Sequence, residues 1–305
     1  MGVVYAAYDE ELERKLAIKL LLPGKHSDRQ SLGEARLLRE AQALARVSHP
    51  NVVQVYEVGA VGDAVYIAME LVRGKSLGEW LGAGPRSWRD ILGVFKQVAA
   101  GLVAAHAAGV VHRDIKPDNL LVGDDGRVRV LDFSLARAPA PDPSEESSAD
   151  LGHTRAGALI GTPLYMSPEQ LRGEPADARS DQFGFCVTMY EALHGVRPFT
   201  GATLGELRTS VFRGEVRSPT SRGLLRSLRL GDSLSRRTDL NASRPAAVPT
   251  DMTEETYTSA PPGADTGAPA WLRRALLRGL RTDPAQRYPD MNALLAELGR
   301  DPYRF

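Results

Sequence analysis

The sequence predicts an α+β protein of two lobes, a small sheet-rich one over residues 1–70 and a larger helical one over residues 71–305. Up to Met69, apolar residues alternate as strands require, in VYAAYD, LAIKLLL, NVVQVYEVG and AVYIAME. Beyond the turn at Arg73 and Gly74 they recur at helical spacing, in WRDILGVFKQVAAGLVAAHAAG, SDQFGFCVTMYEALHG, WLRRALLRGL and MNALLAELG.

The elements follow in order. Residues 1–22 read as a hairpin, VVYAAYD and LAIKL joined by a charged turn from Glu10 to Lys15. SLGEARLLREAQALARV is a helix, with Leu32, Leu37, Leu38, Ala41, Leu44 and Ala45 on one apolar face. NVVQVYEVG and AVYIAME complete the first lobe's sheet. In the second lobe each helical run ends at or near a glycine, the residue that most easily takes the left-handed conformation there. LLVGDDGRVRV is a short hairpin between the first and second of these helices.

Two stretches interrupt the pattern. Residues 138–158 are rich in Pro, Ser, Ala and acids. Residues 215–268 begin basic, with Arg217, Arg222, Arg226 and Arg229, and end acidic, with Asp251, Glu254, Glu255 and Asp265. Neither carries enough large apolar side chains to fold alone, so the second is predicted to be a disordered, solvated insertion between helices. A docking segment is the alternative.

Composition excludes several classes. With 43% hydrophobic and 25% charged residues, the chain buries a sizeable core and is not disordered throughout. Its 38 Lys and Arg balance 38 Asp and Glu, so no overall field draws it to nucleic acid or to a membrane surface. The one cysteine, Cys186, cannot form an internal disulfide, which fits a reducing cytoplasm. No apolar run reaches the ~18 residues that span a bilayer, and no signal peptide precedes the first strand.

The chemistry is concentrated in HRDIKPDN, residues 112–119, followed by LDFS at 131–134. Asp114, Lys116 and Asn119 set a carboxylate, an ammonium and an amide in one compact loop, and Asp132 ends the next strand. That set suits phosphate and a divalent cation, because Mg²⁺ takes oxygen ligands from one or two side chains plus substrate phosphates. Each residue alone would read as a surface charge; their order and context decide otherwise.

HRDIKPDN, LDFS and the later GTPLYMSPEQ resemble the catalytic loop, metal-binding segment and substrate-facing segment of the eukaryotic-like serine/threonine protein kinases of bacteria. The resemblance covers nearly the whole chain. It implies a two-lobed protein-kinase-like fold and ATP-dependent phosphorylation of Ser and Thr hydroxyls on protein substrates. A catalytically weak kinase-like binding module is the alternative. Asp114 then resembles the base, Lys116 the cation beside the transferring phosphoryl group, and Asn119 and Asp132 the ligands of Mg²⁺, for which Mn²⁺ can substitute. Lys19 in LAIK, after Ala17, resembles the lysine on the α- and β-phosphates, and Glu40 its helix partner. Met69 stands as gatekeeper, with Glu70 and Val72 offering backbone groups to adenine.

MGVVYAAYD resembles the end of the glycine-rich loop, with Gly2 at its third glycine and Val4 at its valine; the first strand of the family and two glycines are missing. The expectation is a true start upstream of Met1; the other reading is half a phosphate clamp. A continuation beyond Phe305 is left open. Ser134 replaces the glycine of the family's Asp-Phe-Gly, which bears on loop switching more than on metal binding. The resemblance further implies autophosphorylation through self-association. Thr154 is the expected main site, Ser147 and Ser148 are minor ones, and Thr162 is placed near the catalytic loop. Glu169 and Arg287 are expected to form a buried brace, and Asp181 to cap the catalytic loop.

Overall fold

The computed structural model describes residues 2–21, 41–61, 64–133, 162–218 and 267–300. The first lobe is an antiparallel sheet in the order β1-β2-β4-β3, made of β1 (Gly2–Asp9), β2 (Arg14–Leu21), β3 (Val55–Val61) and β4 (Ala64–Glu70). The pairing Val4 with Lys19 and Lys19 with Ile67 fixes the faces. Because side chains alternate, Gly2, Val4, Ala17, Lys19 and Met69 fall on one face. β1 is an edge strand, and Val3, Val4, Tyr5 and Tyr8 on it are each about half exposed. Residues 41–45 form a helical segment, α1, and its Ala41 and Leu44 enter the core.

NVVQVYEVG is not one strand. β3 begins only at Val55, because Asn51 to Val53 pair across the lobes instead. The Val53 N–H donates to the Val130 carbonyl at 3.1 Å and the Val130 N–H to the Asn51 carbonyl at 3.0 Å. The expected turn at Gly74 is likewise the start of β5 (Gly74–Ser76), which joins β6 (Leu120–Gly123) and β7 (Val128–Val130) in a three-stranded sheet under the cleft.

The second lobe's helices are α2 (Leu77–Gly82), α3 (Trp88–Ala107), α4 (Pro168–Leu171), α5 (Ala178–His194), α6 (Leu204–Arg213), α7 (Ala270–Gly279) and α8 (Met291–Gly299). Ser87 and Asp90 form a capping box that starts α3, and Ile91, Phe95, Val98 and Leu102 turn its apolar stripe inward. Among the described residues, α3 is the one helix long and apolar enough to cross a bilayer, and half of that stretch is buried in this core. α5 is buried from Ser180 to His194, which makes it the axis of the lobe; Asp177 caps its start and Gly195, at φ 66°, its end.

Two glycines permit close approaches. A Cβ on Gly101 would lie 2.5 Å from the Asn51 carbonyl oxygen, and one on Gly279 would lie 2.2 Å from the Cys186 sulfur. The insertion expected from residue 215 is still tied to the lobe at Arg217, whose N–H donates to the Pro198 carbonyl at 2.8 Å and whose carbonyl accepts from the Tyr190 hydroxyl. Residues 219–266 and 138–158 lie outside the described residues.

Candidate active site

The loop between α3 and β6 carries Asp114, Lys116 and Asn119 on a backbone fixed from below. Asp181, in the first turn of α5, is 1% exposed and receives three hydrogen bonds. Its Oδ1 accepts from the Arg113 N–H at 2.6 Å; its Oδ2 accepts from the His112 N–H at 2.8 Å and pairs with His106 Nε2 at 2.7 Å. A carboxylate at a helix N-terminus is further stabilised by the helix dipole. These bonds hold Arg113 at φ 67°, a left-handed conformation that costs a non-glycine residue about 1–3 kcal/mol. The expected capping by Asp181 is therefore present.

His112 is fully buried beside Phe133, their ring centroids 4.6 Å apart. Its Nδ1 accepts from the Asp114 N–H at 3.2 Å, which leaves Nε2 to donate to the Leu131 carbonyl at 2.7 Å. Burial lowers its pKa against the opposing pull of the Asp181 charge, so the ring is neutral. One imidazole thus ties the backbone before Asp114 to the backbone before Asp132.

On this frame, Lys116 Nζ donates to Asp114 Oδ2 at 2.8 Å, and Asn119 Nδ2 donates to the same oxygen at 3.0 Å and to the Asp114 carbonyl at 2.7 Å. Asp114 Oδ1 is buried and has no hydrogen-bond partner among the described residues. An unpaired buried oxygen is costly, so this one marks where a donor is needed. Because the Asn119 amide nitrogen faces Asp114, its oxygen faces away.

Lys19 descends from β2 to Asp132, Nζ to Oδ1 at 2.7 Å, and joins the two lobes. Asp132 sits at φ 50° at the end of its strand, a conformation Asp adopts more readily than most residues. Beside this pair lies an apolar cluster. Ala17, Val53 and Met69 are buried in a cluster separate from the main core, with Leu71, Val72 and Leu131 against them. Ala17, Met69 and Val72 were predicted from sequence; Val53 and Leu131 were not, because they come from distant segments, nor was Leu71, which lies between Glu70 and Val72. Glu70 is positioned by its N–H, which donates to the Gln54 carbonyl at 2.9 Å, and by Arg129, whose Nη2 lies 2.9 Å from Glu70 Oε1. Arg129 also makes paired 3.0 Å bonds to Asp125, whose pKa the Arg129 hydrogen bonds pull down to about 2. A basic residue in the buried strand VRV was the signal for it.

Gly2 and Val4 lie on β1, on the sheet face that carries Lys19. Glu40, Ser134 and Thr154 lie outside the described residues, and Thr162 opens a short 3-10 turn, Thr162–Tyr165. That turn leads to Glu169, which pairs with Arg287 through two 2.8 Å bonds and accepts from Ser180 Oγ at 2.7 Å. Burial would raise the Glu169 pKa, but Arg287 outweighs it and the carboxyl lies below its ordinary value. The brace read from the sequence is present. Two residues escaped that reading. Gln170 Nε2 donates to the Arg113 carbonyl at 2.8 Å, and Tyr165 donates to buried Glu191 at 2.6 Å, tying the substrate-facing turn to the catalytic loop and to α5.

A lysine–aspartate bridge across two lobes, above a braced Asp, Lys and Asn loop, is the arrangement of the protein-kinase fold. Residues 1–230 match the protein kinase domain family, and the chain belongs to it. Over 201 residues it is 42% identical to the serine/threonine-protein kinase PknL of Mycobacterium tuberculosis (strain ATCC 25618 / H37Rv), covering 66% of this chain and 48% of that protein. It is 40% identical over 204 residues to the serine/threonine-protein kinase pkn2 of Myxococcus xanthus, covering 66% of this chain and 24% of that protein. It is 37% identical over 202 residues to the serine/threonine-protein kinase PrkC of Bacillus subtilis (strain 168), covering 66% and 30%. The chain thus spans about half the length of these relatives or less.

Proposed function

We propose that the chain transfers the γ-phosphoryl group of ATP to Ser and Thr hydroxyls of protein substrates. The observation that carries this reading is the Asp114 carboxylate, with Oδ2 held by Lys116 and Asn119 and Oδ1 buried without a partner among the described residues. A substrate hydroxyl donating to Oδ1 satisfies that oxygen and is aimed by it. As the hydroxyl oxygen bonds to the γ-phosphorus and the bond from phosphorus to the ADP oxygen breaks, the proton passes to Asp114. Lys116 then lies beside the developing charge.

The apolar cluster of Ala17, Met69 and Val72 offers its surface to the adenine ring, with the backbones of Glu70 and Val72 at its edge. Lys19, on the same sheet face as Val4 and Gly2, reaches the phosphates, exchanging its Asp132 contact for them. Asn119 and Asp132 offer oxygen donors of the kind Mg²⁺ or Mn²⁺ prefers; such an ion, when bound, neutralises charge on the β- and γ-phosphates. Autophosphorylation at Thr154, and the guanidinium of Arg113 as its phosphate partner, belong to the same proposal.

The test is phosphoryl transfer from ATP to a generic basic protein, with phosphoamino-acid analysis of the product. Asp114→Asn is expected to lower the rate about 100-fold or more. Equal rates for the two proteins would overturn the proposal in favour of a kinase-like binding module.

A further inference from the structure

Outside the nucleotide cleft, α7 and the turn that follows it border an open cleft of about 740 Å³, within the size range of ligand sites. Arg274 and Arg278, four residues apart on one side of α7, and Arg281, just past the end of that helix, line it. All three are exposed, and among the described residues none of them joins an ion pair. The acid on the same turn, Asp283, is engaged with the Ala285 N–H at 2.9 Å. Arg287 forms the floor, its charge compensated by Glu169. The cleft therefore presents three guanidinium groups beside the one carboxylate of Asp283, none of the three in an ion pair among the described residues, in a chain whose total charge is zero.

The site is also built in advance. Arg278 lies over the Tyr288 ring at 4.3 Å and donates to the Arg287 carbonyl at 3.5 Å, so its side chain is oriented before any ligand arrives. The floor is fixed because Arg287 Nε donates to the Arg281 carbonyl at 2.8 Å. Leu277 supplies an apolar wall.

We propose that this cleft binds a peptide segment carrying phosphoserine or phosphothreonine. Planar guanidinium forks match the oxygens of a phosphomonoester, and three of them match its charge of about −1.5 to −2 with one neighbouring acid. A concave groove suits an extended chain. A membrane surface would need apolar side chains turned outward, whereas Leu272, Leu276 and Leu280 are buried. The inference rests on the kinase reading only for the source of phosphorylated chains.

The experiment measures binding of a fluorescent phosphothreonine peptide to the full chain by polarisation at physiological salt, beside the same peptide with Thr. Expected is about tenfold or more preference for the phosphorylated form, abolished in the Arg274→Glu, Arg281→Glu double variant. Phosphoryl transfer to a basic protein by that variant is expected to equal wild type, so failure of the kinase reading shows in the transfer assay alone. Should charge reversal lower the melting temperature, the Arg274→Gln, Arg281→Gln pair gives the same reading. Equal binding of the two peptides overturns the proposal, and so does a preference that survives both variants. Vesicles of anionic lipid that bind wild type but not the variant, with no phosphopeptide preference, would assign the surface to a membrane instead.

Discussion

The Arg287 guanidinium is almost wholly withdrawn from water, and each of its five hydrogen bonds has a named acceptor: both oxygens of Glu169 and the carbonyls of Arg179, Arg281 and Thr282. Arg287→Met would leave the Glu169 carboxylate buried with only Ser180. The expected loss is about 3–5 kcal/mol in urea unfolding, partly restored by adding Glu169→Gln. The same pair sets an acid limit. The folded Glu169 pKa lies below its ordinary 4.5, so its contribution is complete above that value and is lost as pH falls through the depressed one. Wild type should lose stability on acidification more steeply than Glu169→Gln. At this scale HRDIKPDN was legible because one short stretch supplies the whole Asp, Lys and Asn set. The Lys19 bond to Asp132 was not, since the sequence pairs neither residue with the other across 113 positions.

Elements were legible where one face alternates or one stripe recurs, as in β1, β2, β4, α3 and α5. They were illegible where pairing is borrowed from elsewhere: β5 is three residues long and exists only because β6 lies beside it. α3 shows how contact between elements overrides local preference. Replacing a helix-interior glycine by alanine ordinarily stabilises by up to about 1 kcal/mol. At Gly101 the added methyl would meet the Asn51 carbonyl at 2.5 Å, and that carbonyl also accepts from Val130 at the seam between the lobes. Overpacking against a fixed backbone costs about 1–3 kcal/mol, so the sign reverses and Gly101→Ala is expected to lower the melting temperature. A rise in melting temperature would show that the seam yields.

Among the described residues the contacts that join the lobes include the Val52–Val130 seam, the Lys19–Asp132 bridge and the Arg129 contact to Glu70. The last sets the level of the chain segment proposed to hold adenine. Removing one charged contact of about 1 kcal/mol should reduce the share of molecules with a closed, nucleotide-ready cleft about fivefold. Arg129→Met is therefore expected to raise KM for ATP by about that factor with kcat little changed; an unchanged KM would remove Arg129 from this role. The Gly279 contact with Cys186 has a consequence of another kind. The chain has one thiol, sealed between α5 and α7, and burial raises its pKa to about 12. A thiol-specific reagent can modify it only during excursions that part those two helices. The labelling rate in native buffer is then a clock for the breathing of the helical lobe, and its slowing by a ligand would report, without any enzymatic readout, how far a binding event tightens that lobe.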